Sequence, residues 1–371
     1  MIAAKLSDLV GIINKIAPPS LAEEWDNPGL QVGDPAVTIE RVMVALDAGP
    51  EAIDAAIAAD CQLLLTHHPL IFKPLKRISA TDSTGSLIIK SLQHSLAILS
   101  LHTNYDIVEG GVNDLLAERL GLEGCLPLRS TTVEQLVKLV VFVPQGHEEQ
   151  VRDALFRHGG FLGNYSECSF QGSGTGTFKP LPGAEPFVGT VGERASVAES
   201  RLEVMLRRRD QAAAVKALLK AHPYEEPAFD LIPLLNEGVV KGLGRVGRVG
   251  PTTAGSFAAL VKERLEVPYL RMVGAPDRPV RKVALCGGSG ASLIGEAARL
   301  GADLYLTGDL KYHEAQEAQA LGIAVLDAGH FATERLMIEG LSAQLRLQLA
   351  KRNLDVTVIP CERECDPIAF V

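Results

Sequence analysis

The stretch RVMVALDAGPEAIDAAIAADCQLLLTHHPLIF, residues 41–72, carries the strongest indication of fold class in this chain. In it a β-rich run, VMVAL, precedes a Gly-Pro turn, an alanine-rich helical pattern and a second apolar run that ends at Thr66. Residues 281–307, RKVALCGGSGASLIGEAARLGADLYLT, repeat the same plan and end at Thr307. Alternating strands and helices predict parallel βαβ units with helices covering the sheet. We therefore predict an α/β fold with a two-part core of mostly parallel sheets.

The stretch between these two copies has a different character. It is rich in glycine, and its predicted order of strand, helix, strand, strand, helix and strand is that of a ferredoxin-like α+β domain. We predict a first core half at residues 1–131, an inserted domain at 132–240 and a second core half at 241–371. The glycine-dense run at 238–250 would be the linker that returns the chain to the core.

Composition and charge exclude several classes of protein. Lys and Arg total 36 against 45 Asp and Glu, and the resulting net charge of -9 disfavours binding to duplex nucleic acid. The sequence shows neither a signal-peptide pattern nor an apolar run of membrane-spanning length. Its six cysteines lack the spacing of a disulfide framework, which suits a reducing compartment. We therefore expect a cytoplasmic protein that does not enter a membrane.

Histidines and carboxylates follow the predicted strands, where the chemistry of α/β folds collects. His67 and His68 end one strand; adjacent side chains of an extended segment point in opposite directions, so each would serve a different ion of a pair. Asp106 follows another strand, and His330 and Glu334 have the spacing that places them on one face of a helix. Imidazole with carboxylate favours Zn, Mn, Fe, Co or Ni over Ca or Mg. Each residue alone is also consistent with a solvated or capping role, and their convergence favours the metal site.

Other polar residues leave alternatives open. His102 and His313 are candidates either for metal ligation or for acid/base catalysis. The C-terminal CEREC, residues 361–365, would suggest a metal pair, but no second Cys or His pair completes it. The run CGGSG, residues 286–290, would present N–H groups to a phosphate or form a tight turn, and it lacks the spacing of a P-loop.

Five ordered motifs carry a resemblance to a known family: WDNPGLQVG (25–33), THHPLIF (66–72), HTNYD (102–106), TGDLKYH (307–313) and DAGHFATE (327–334). They resemble the GTP cyclohydrolase 1 type 2 homologues, also called NIF-three-like proteins. The central SECSFQGSGTGTF and HPYEEPAFDL resemble the insert of the longer bacterial members. That insert has a fold similar to those of the PII-like signalling and copper-tolerance proteins.

The resemblance implies a site and an assembly. Two divalent transition-metal ions per chain would be held by His67, His68, Asp106, His330 and Glu334, with Glu334 bridging. The chain would form a toroidal homohexamer, a trimer of dimers, with the metals facing an internal cavity.

The WDN motif would lie near the metals, with Trp25 and Asn27 contacting the substrate. From the sequence alone, Trp25 can equally be a core anchor and Asn27 a turn residue.

The activity implied by the resemblance is ring-opening hydrolysis of GTP or a related small nucleotide by a metal-activated water, with His313 or His102 carrying protons. A site of this kind also fits a phosphoesterase, because a fold does not decide its substrate. The rival interpretation is a non-catalytic metal-binding regulatory protein, in which the insert senses a small molecule and the toroid is a scaffold.

Overall fold

A computed structural model describes residues 4–369 of the chain. The chain divides into two compact units, the first made of residues 1–132 and 241–371 and the second of residues 133–240. None of the helices in the described part combines the length and the apolar character that a membrane crossing requires.

Helices and strands alternate along most of the chain. Its first elements are β1 (Ala4–Lys5), α1 (Leu6–Ile16), β2 (Gly29–Val32), β3 (Thr38–Ile39), β4 (Arg41–Ala45), α2 (Pro50–Ala58), β5 (Leu63–Thr66), α3 (Ser83–Gln93), β6 (Ala97–Ser100), α4 (Thr103–Ile107) and α5 (Val112–Leu120). The central elements are β7 (Glu123–Pro144), α6 (Glu148–Phe156), β8 (Ser169–Phe178), β9 (Ala195–Arg207), α7 (Gln211–Ala221) and β10 (Phe229–Thr253). The last elements are α8 (Ala254–Leu265), β11 (Arg271–Val273), β12 (Pro279–Leu285), α9 (Ile294–Arg299), β13 (Leu304–Thr307), α10 (Tyr312–Leu321), β14 (Ala324–Asp327), α11 (His330–Glu334), α12 (Leu336–Ala350) and β15 (Thr357–Pro360).

The first unit contains two large sheets. One has the order β15-β4-β5-β6-β2, in which β2 is antiparallel to its neighbour and the other pairs are parallel. The other includes β11-β14-β13-β12-β10-β7, in which β12, β13 and β14 are parallel. Strand β11 is antiparallel to β14, and β10 is antiparallel to β12. The α/β class is confirmed, but the sheets are mixed. The two predicted βαβ copies form the parallel centre of each sheet. The strands that flank these centres include antiparallel ones, which the βαβ pattern does not predict because antiparallel pairing needs no helical crossover.

Strands at the sheet centres are buried on both faces. In β4, Val42 and Val44 enter one apolar cluster and Met43 enters another on the opposite face. This pattern is typical of parallel strands covered by helices on both sides. Helix α12 closes one side with Leu341 and Leu345, which are spaced to share one helical face. The strand ends, and the loops that follow them, are therefore held by well-packed elements.

The second unit has its own sheet and core. Its strands follow the order β10-β7-β9-β8, and β9 is antiparallel to both β7 and β8. Leu139 and Val141 of β7 pack with Leu202 and Val204 of β9 and with Leu218 of α7. The long strands β7 and β10 pass through the boundary at residues 132–133 and 240–241, so each contributes to both units.

Candidate metal centre

Histidines and acidic residues gather where strands of the two sheets of the first unit end. His67 and His68 directly follow β5, and His102 follows β6. His330 and Glu334 form the two ends of the short helix α11, which comes after β14. Because parallel strands bring their carboxyl ends to one edge, residues from distant parts of the chain meet there.

The ligand atoms form three overlapping groups, each with its atoms within 4.8 Å of one another. These groups are His67, His68 and His102; His68, His330 and Glu334; and His67, Asp106 and Glu334. Glu334 Oε2 lies 3.0 Å from Nε2 of both His68 and His330, whereas its Oε1 lies 3.9 Å from Nε2 of His67. Asp106 Oδ1 lies 3.4 Å from the same His67 nitrogen. The two oxygens of one buried carboxylate therefore face two different sets of ligands.

His67 supplies the test of whether a metal ion fits. Its side chain is fully buried, and its Nε2 has no hydrogen-bond partner among the described residues. Burial lowers the pKa of His67 to about 3, so the ring is neutral and keeps a lone pair. A buried polar atom without a partner costs about 1–3 kcal/mol. A metal ion bound to His67 Nε2 would remove that cost. The neighbouring donors, an imidazole and the carboxylates of Asp106 and Glu334, suit such an ion.

Glu334 and the histidines beside it shift each other's pKa values. Burial alone would raise the pKa of Glu334, but hydrogen bonds from His330 and His68 hold that pKa well below its usual range. Burial opposes protonation of His68, yet hydrogen bonds to Asp47 and Glu334 raise its pKa to about 10. The hydrogen bond to Glu334 raises the pKa of His330 to about 9. Burial, followed by the charge of Glu334, raises the pKa of Asp106 well above its usual value.

Three of the histidines have a carboxylate on Nδ1. The pairs are Asp47 with His68 at 2.8 Å, Asp309 with His330 at 2.7 Å and Asp26 with His102 at 2.7 Å. An Nδ1–H that donates to a carboxylate orients Nε2 for a metal, as in metal-binding histidines in general, and an ion that binds there would displace the Nε2 proton. Sequence reasoning missed Asp47 and Asp309. Both lie just beyond strands β4 and β13, so the strand-end signal that identified His67 could also have identified them.

The glycine turn after β12 makes room for Glu334. Its N–H groups donate to side chains of the same unit: Gly287 to Asn113, Gly288 to Thr333 and Gly290 to Thr307. Gly288 has a φ of 58°, and a Cβ there would lie 2.0 Å from Glu334 Oε1. The tight-turn interpretation is thus confirmed. The phosphate-binding alternative is not supported, because these donors already have partners.

The WDN motif lies beside the histidines. Trp25 is 59% exposed, and its ring contacts Phe72 at 5.9 Å and His102 at 6.0 Å between centroids. The alternative of a core anchor is therefore wrong for Trp25. Asn27 donates from Nδ2 to the carbonyl of Ile71 at 2.6 Å. Burial opposes ionisation of the intervening Asp26, but hydrogen bonds from His102 and Thr103 lower its pKa to about 2.

His313 is placed differently from His102. It is exposed on α10, where its Nδ1 lies 3.1 Å from Gln316 Oε1. None of the groups of ligand atoms found in residues 4–369 includes His313, nor do they include Cys361 or Cys365. The structure therefore brings together His102 and the five expected metal ligands, and it leaves His313 outside.

The sequence profile of the Duf34/NIF3 (NGG1p interacting factor 3) family matches residues 4–367. The chain belongs to this family. It is 43% identical to a "GTP cyclohydrolase 1 type 2 homolog" of Bacillus subtilis and 42% identical to one of Halalkalibacterium halodurans, each over 98% of both chains. A crystal structure of a Bacillus cereus protein related to NIF3 is 40% identical, covers 100% of both chains and superimposes with a TM-score of 0.94. The resemblance drawn from the five motifs is confirmed.

The C-terminal segment of this NIF3-family chain reaches back to the histidines of the candidate metal centre. Glu364 accepts hydrogen bonds from the backbone N–H groups of Leu46 and Asp47, both at 2.7 Å. The carbonyl of Leu46 in turn accepts from the N–H groups of His67 and His68, at 3.1 and 2.9 Å. Glu364 thus holds the turn that positions the backbone of both histidines and the carboxylate of Asp47.

Replacing Glu364 with alanine should weaken metal binding without removing a ligand. The turn at Leu46 and Asp47 would lose both acceptors, and changes of supporting residues of this kind cost about 10–100-fold in metal affinity. Competition with a chromophoric chelator measures the affinity. Glu362→Ala is the matched control, because Glu362 is exposed two residues away. Equal affinities in Glu364→Ala and Glu362→Ala would show that the C-terminal segment does not support the site.

Proposed function

We propose that this chain is a metal-dependent hydrolase with a dinuclear centre of divalent transition-metal ions. His67, Asp106 and Glu334 would hold one ion, and His68, His330 and Glu334 the other. The observation that carries the proposal is the position of Glu334, whose two oxygens face two separate sets of ligand atoms. Bound ions would supply an activated water nucleophile and polarise the bond that it attacks.

His102 is the group that we assign to proton transfer. Its Nδ1 is held by Asp26 at 2.7 Å, and its ring lies 5.3 Å from that of His67 and 5.6 Å from that of His68. The carboxylate fixes the tautomer so that Nε2 is the nitrogen that exchanges a proton. Unlike His313, this histidine lies within the cluster. It can therefore give or take a proton at the reacting atoms.

Exposed aromatic rings beside the cluster indicate the class of substrate. Trp25 and Phe72 are both largely exposed, and both rings contact His102. A flat base can stack on such rings, and base–aromatic stacking contributes about 1–3 kcal/mol per base. We propose GTP or a related nucleotide, in keeping with the name shared by the bacterial relatives. A simple phosphoester is the second choice, because the metal ligands alone do not select the base.

The roles separate by mutation in metal-loaded protein incubated with GTP. Asp106→Ala should lose metal and activity together, because it removes a ligand. His102→Gln should keep most of the metal and lose about 100-fold in kcat, within the range for removal of a general acid or base. His313→Ala serves as the exposed histidine control and should change neither by more than about twofold.

The results of this assay decide between the two function classes. Release of formate from GTP, or phosphate from a model ester, identifies the reaction. If metal-loaded protein hydrolyses none of GTP, other nucleotides and phosphodiesters, the hydrolase proposal fails. The non-catalytic regulatory role would then be the better interpretation. If His313→Ala rather than His102→Gln loses rate, the assignment of the proton carrier is wrong.

We propose that residues 132–240 are a ferredoxin-like insert in the core. The order of elements from β7 to β10 and the strand order β10-β7-β9-β8 support this. The ends that remain after excision are adjacent in the first unit, since Thr131 Oγ1 donates to the carbonyl of Lys241 at 3.3 Å. Deleting residues 132–240 and joining the ends with a short Gly/Ser linker should leave a folded core that binds metal. A soluble truncated chain that binds no metal would contradict the independence of the core.

The assembly implied by the family resemblance is also a proposal. A toroidal homohexamer would sediment with about six times the chain mass of 39.6 kDa. Sedimentation velocity of the full chain measures this, and a monomeric or dimeric mass would contradict it. A cytoplasmic location is proposed because the six cysteines lack the spacing of a disulfide framework, and it is tested by fractionation.

A further inference from the structure

The second unit contains a cavity of about 890 Å³ whose floor is one face of β8. On that face the sequence SFQGSGTGTF places Phe170, Gly172, Gly174, Gly176 and Phe178 at alternate positions. Alternate residues of a strand share a face, so bare backbone lies between two phenylalanines. The glycine positions span about 13 Å at the rise of a β-strand, which is long enough for a bicyclic ring. We call this feature the glycine trough.

A buried carboxylate lies at one end of the glycine trough. Glu199 of β9 is 8% exposed, and its Oε1 accepts a hydrogen bond from Tyr224 Oη at 3.0 Å. A Cβ at Gly176 would lie 2.0 Å from Glu199 Oε2, so that position needs glycine for the carboxylate to lie over the strand. By contrast, a Cβ at Gly174 would meet nothing within 4 Å. The absence of a side chain at Gly174 therefore serves no packing purpose among the described residues, and it leaves open floor beside an acceptor.

Aromatic rings and a cation complete the walls. The Tyr224 ring lies 5.8 Å from Phe178 and 6.2 Å from Phe187, and all three rings line the cavity. Arg201 is paired across the strands with Gly172, on the side of the trough away from Gly176, and its guanidinium also forms an ion pair with Glu203 at 2.9 Å. A ligand that fits these features has a flat ring, hydrogen-bond donors at one edge and a negative group at the other end.

We propose that the glycine trough binds a small molecule built on a flat nitrogen heterocycle, with a purine nucleoside or nucleotide as the class. The ring lies on the backbone of Gly172 and Gly174 between the aromatic side chains. An N–H edge donates to the Glu199 carboxylate, and an anionic tail, where present, is directed towards Arg201. This site is made wholly of residues 133–240, and it is separate from the proposed hydrolase centre.

Calorimetric titration of the full chain with guanosine tests the proposal. Guanosine offers an N–H edge that suits a carboxylate, and it lacks the phosphates that would chelate metal ions. We expect one molecule per chain with a Kd below about 1 mM. The ligand 1-methylguanosine, in which a methyl group replaces the N1–H donor, should bind at least about tenfold more weakly because the buried carboxylate loses one of its two donors.

Substitutions locate the binding site. Gly174→Val should fold, since valine suits a strand and its Cβ meets no atom, but it fills the floor and should weaken guanosine binding at least about tenfold. Ser169→Val, at an exposed position on the opposite face of the same strand and outside the cavity lining, should bind as the wild type does. Glu199→Gln keeps the shape and an acceptor for Tyr224, yet it places an amide donor where the carboxylate oxygen was. This variant should also bind guanosine about tenfold more weakly. The variant His67→Ala, Glu334→Ala should retain binding, since the trough does not involve the metal cluster.

Three results would overturn the proposal. One is wild-type affinity in Gly174→Val, and another is loss of guanosine binding only in the variant His67→Ala, Glu334→Ala, which would place the nucleoside at the metal cluster. The third is no binding of guanosine or adenosine to the wild type, together with a lower sedimenting mass for Gly174→Val. That result would assign the trough to contact with a second copy of the chain.

Discussion

Glu334→Gln should abolish metal binding at both positions of the proposed dinuclear centre. Its carboxylate belongs to two of the three groups of ligand atoms, and the amide has neither the charge nor a second acceptor oxygen. A structural zinc site with four ligands is worth about 10–16 kcal/mol, so loss of a shared ligand should cost each ion more than about 100-fold in affinity. Elemental analysis of washed protein should fall from about two ions per chain to well below one.

Thermal stability gives a second measure of the same change. A metal that binds the folded state raises its melting temperature, so a chelator should lower the melting temperature of the wild type and leave that of Glu334→Gln unchanged. Glu339→Gln is the matched control, because this exposed glutamate lies in the next helix. A washed His67→Ala, Glu334→Ala variant that retains full metal content would refute the ligand assignment.

Arg245→Met should destabilise the first unit by about 3–5 kcal/mol, because it breaks a buried ion pair and leaves several acceptors unpaired. Arg245 is 4% exposed, and its guanidinium donates to both carboxylate oxygens of Asp114. It also donates to the carbonyls of Gly242 and Gly244, each at 2.8 Å, and to that of Val108 at 3.2 Å. Val108 follows α4, the helix that carries Asp106. Denaturant unfolding of metal-free protein measures the loss.

Two further variants separate the buried pair from an ordinary surface pair. Arg245→Met combined with Asp114→Leu should recover part of the stability, because no buried charge is then left without a partner. Lys90→Met breaks the pair with Asp54, in which both side chains are more than one-third exposed, and should cost less than about 1 kcal/mol. If Arg245→Met unfolds at the same denaturant concentration as Lys90→Met, the guanidinium does not hold these segments together.

The sequence alone determined the elements whose signal is local. The runs VMVAL and LLLT became β4 and β5, and the His330 to Glu334 spacing became one helix, because apolar period and helical spacing act within a few residues. The rule that chemistry follows strand ends placed His67, His68 and Asp106 in advance, and the structure brings their ligand atoms together. Family membership followed from short ordered motifs for the same reason.

Only the tertiary structure decided the contacts between distant residues. Glu364 supports Leu46 across 318 positions, and Gly288 in the turn after β12 leaves space for the Glu334 carboxylate of α11. No periodicity or spacing encodes such pairs, because they depend on how the two halves of the core pack. The same applies to His313, whose motif resembled a catalytic one but whose helix presents it to solvent. Local sequence therefore places these groups at the strand ends, and the packing of the two sheets selects those whose ligand atoms meet in the candidate metal centre.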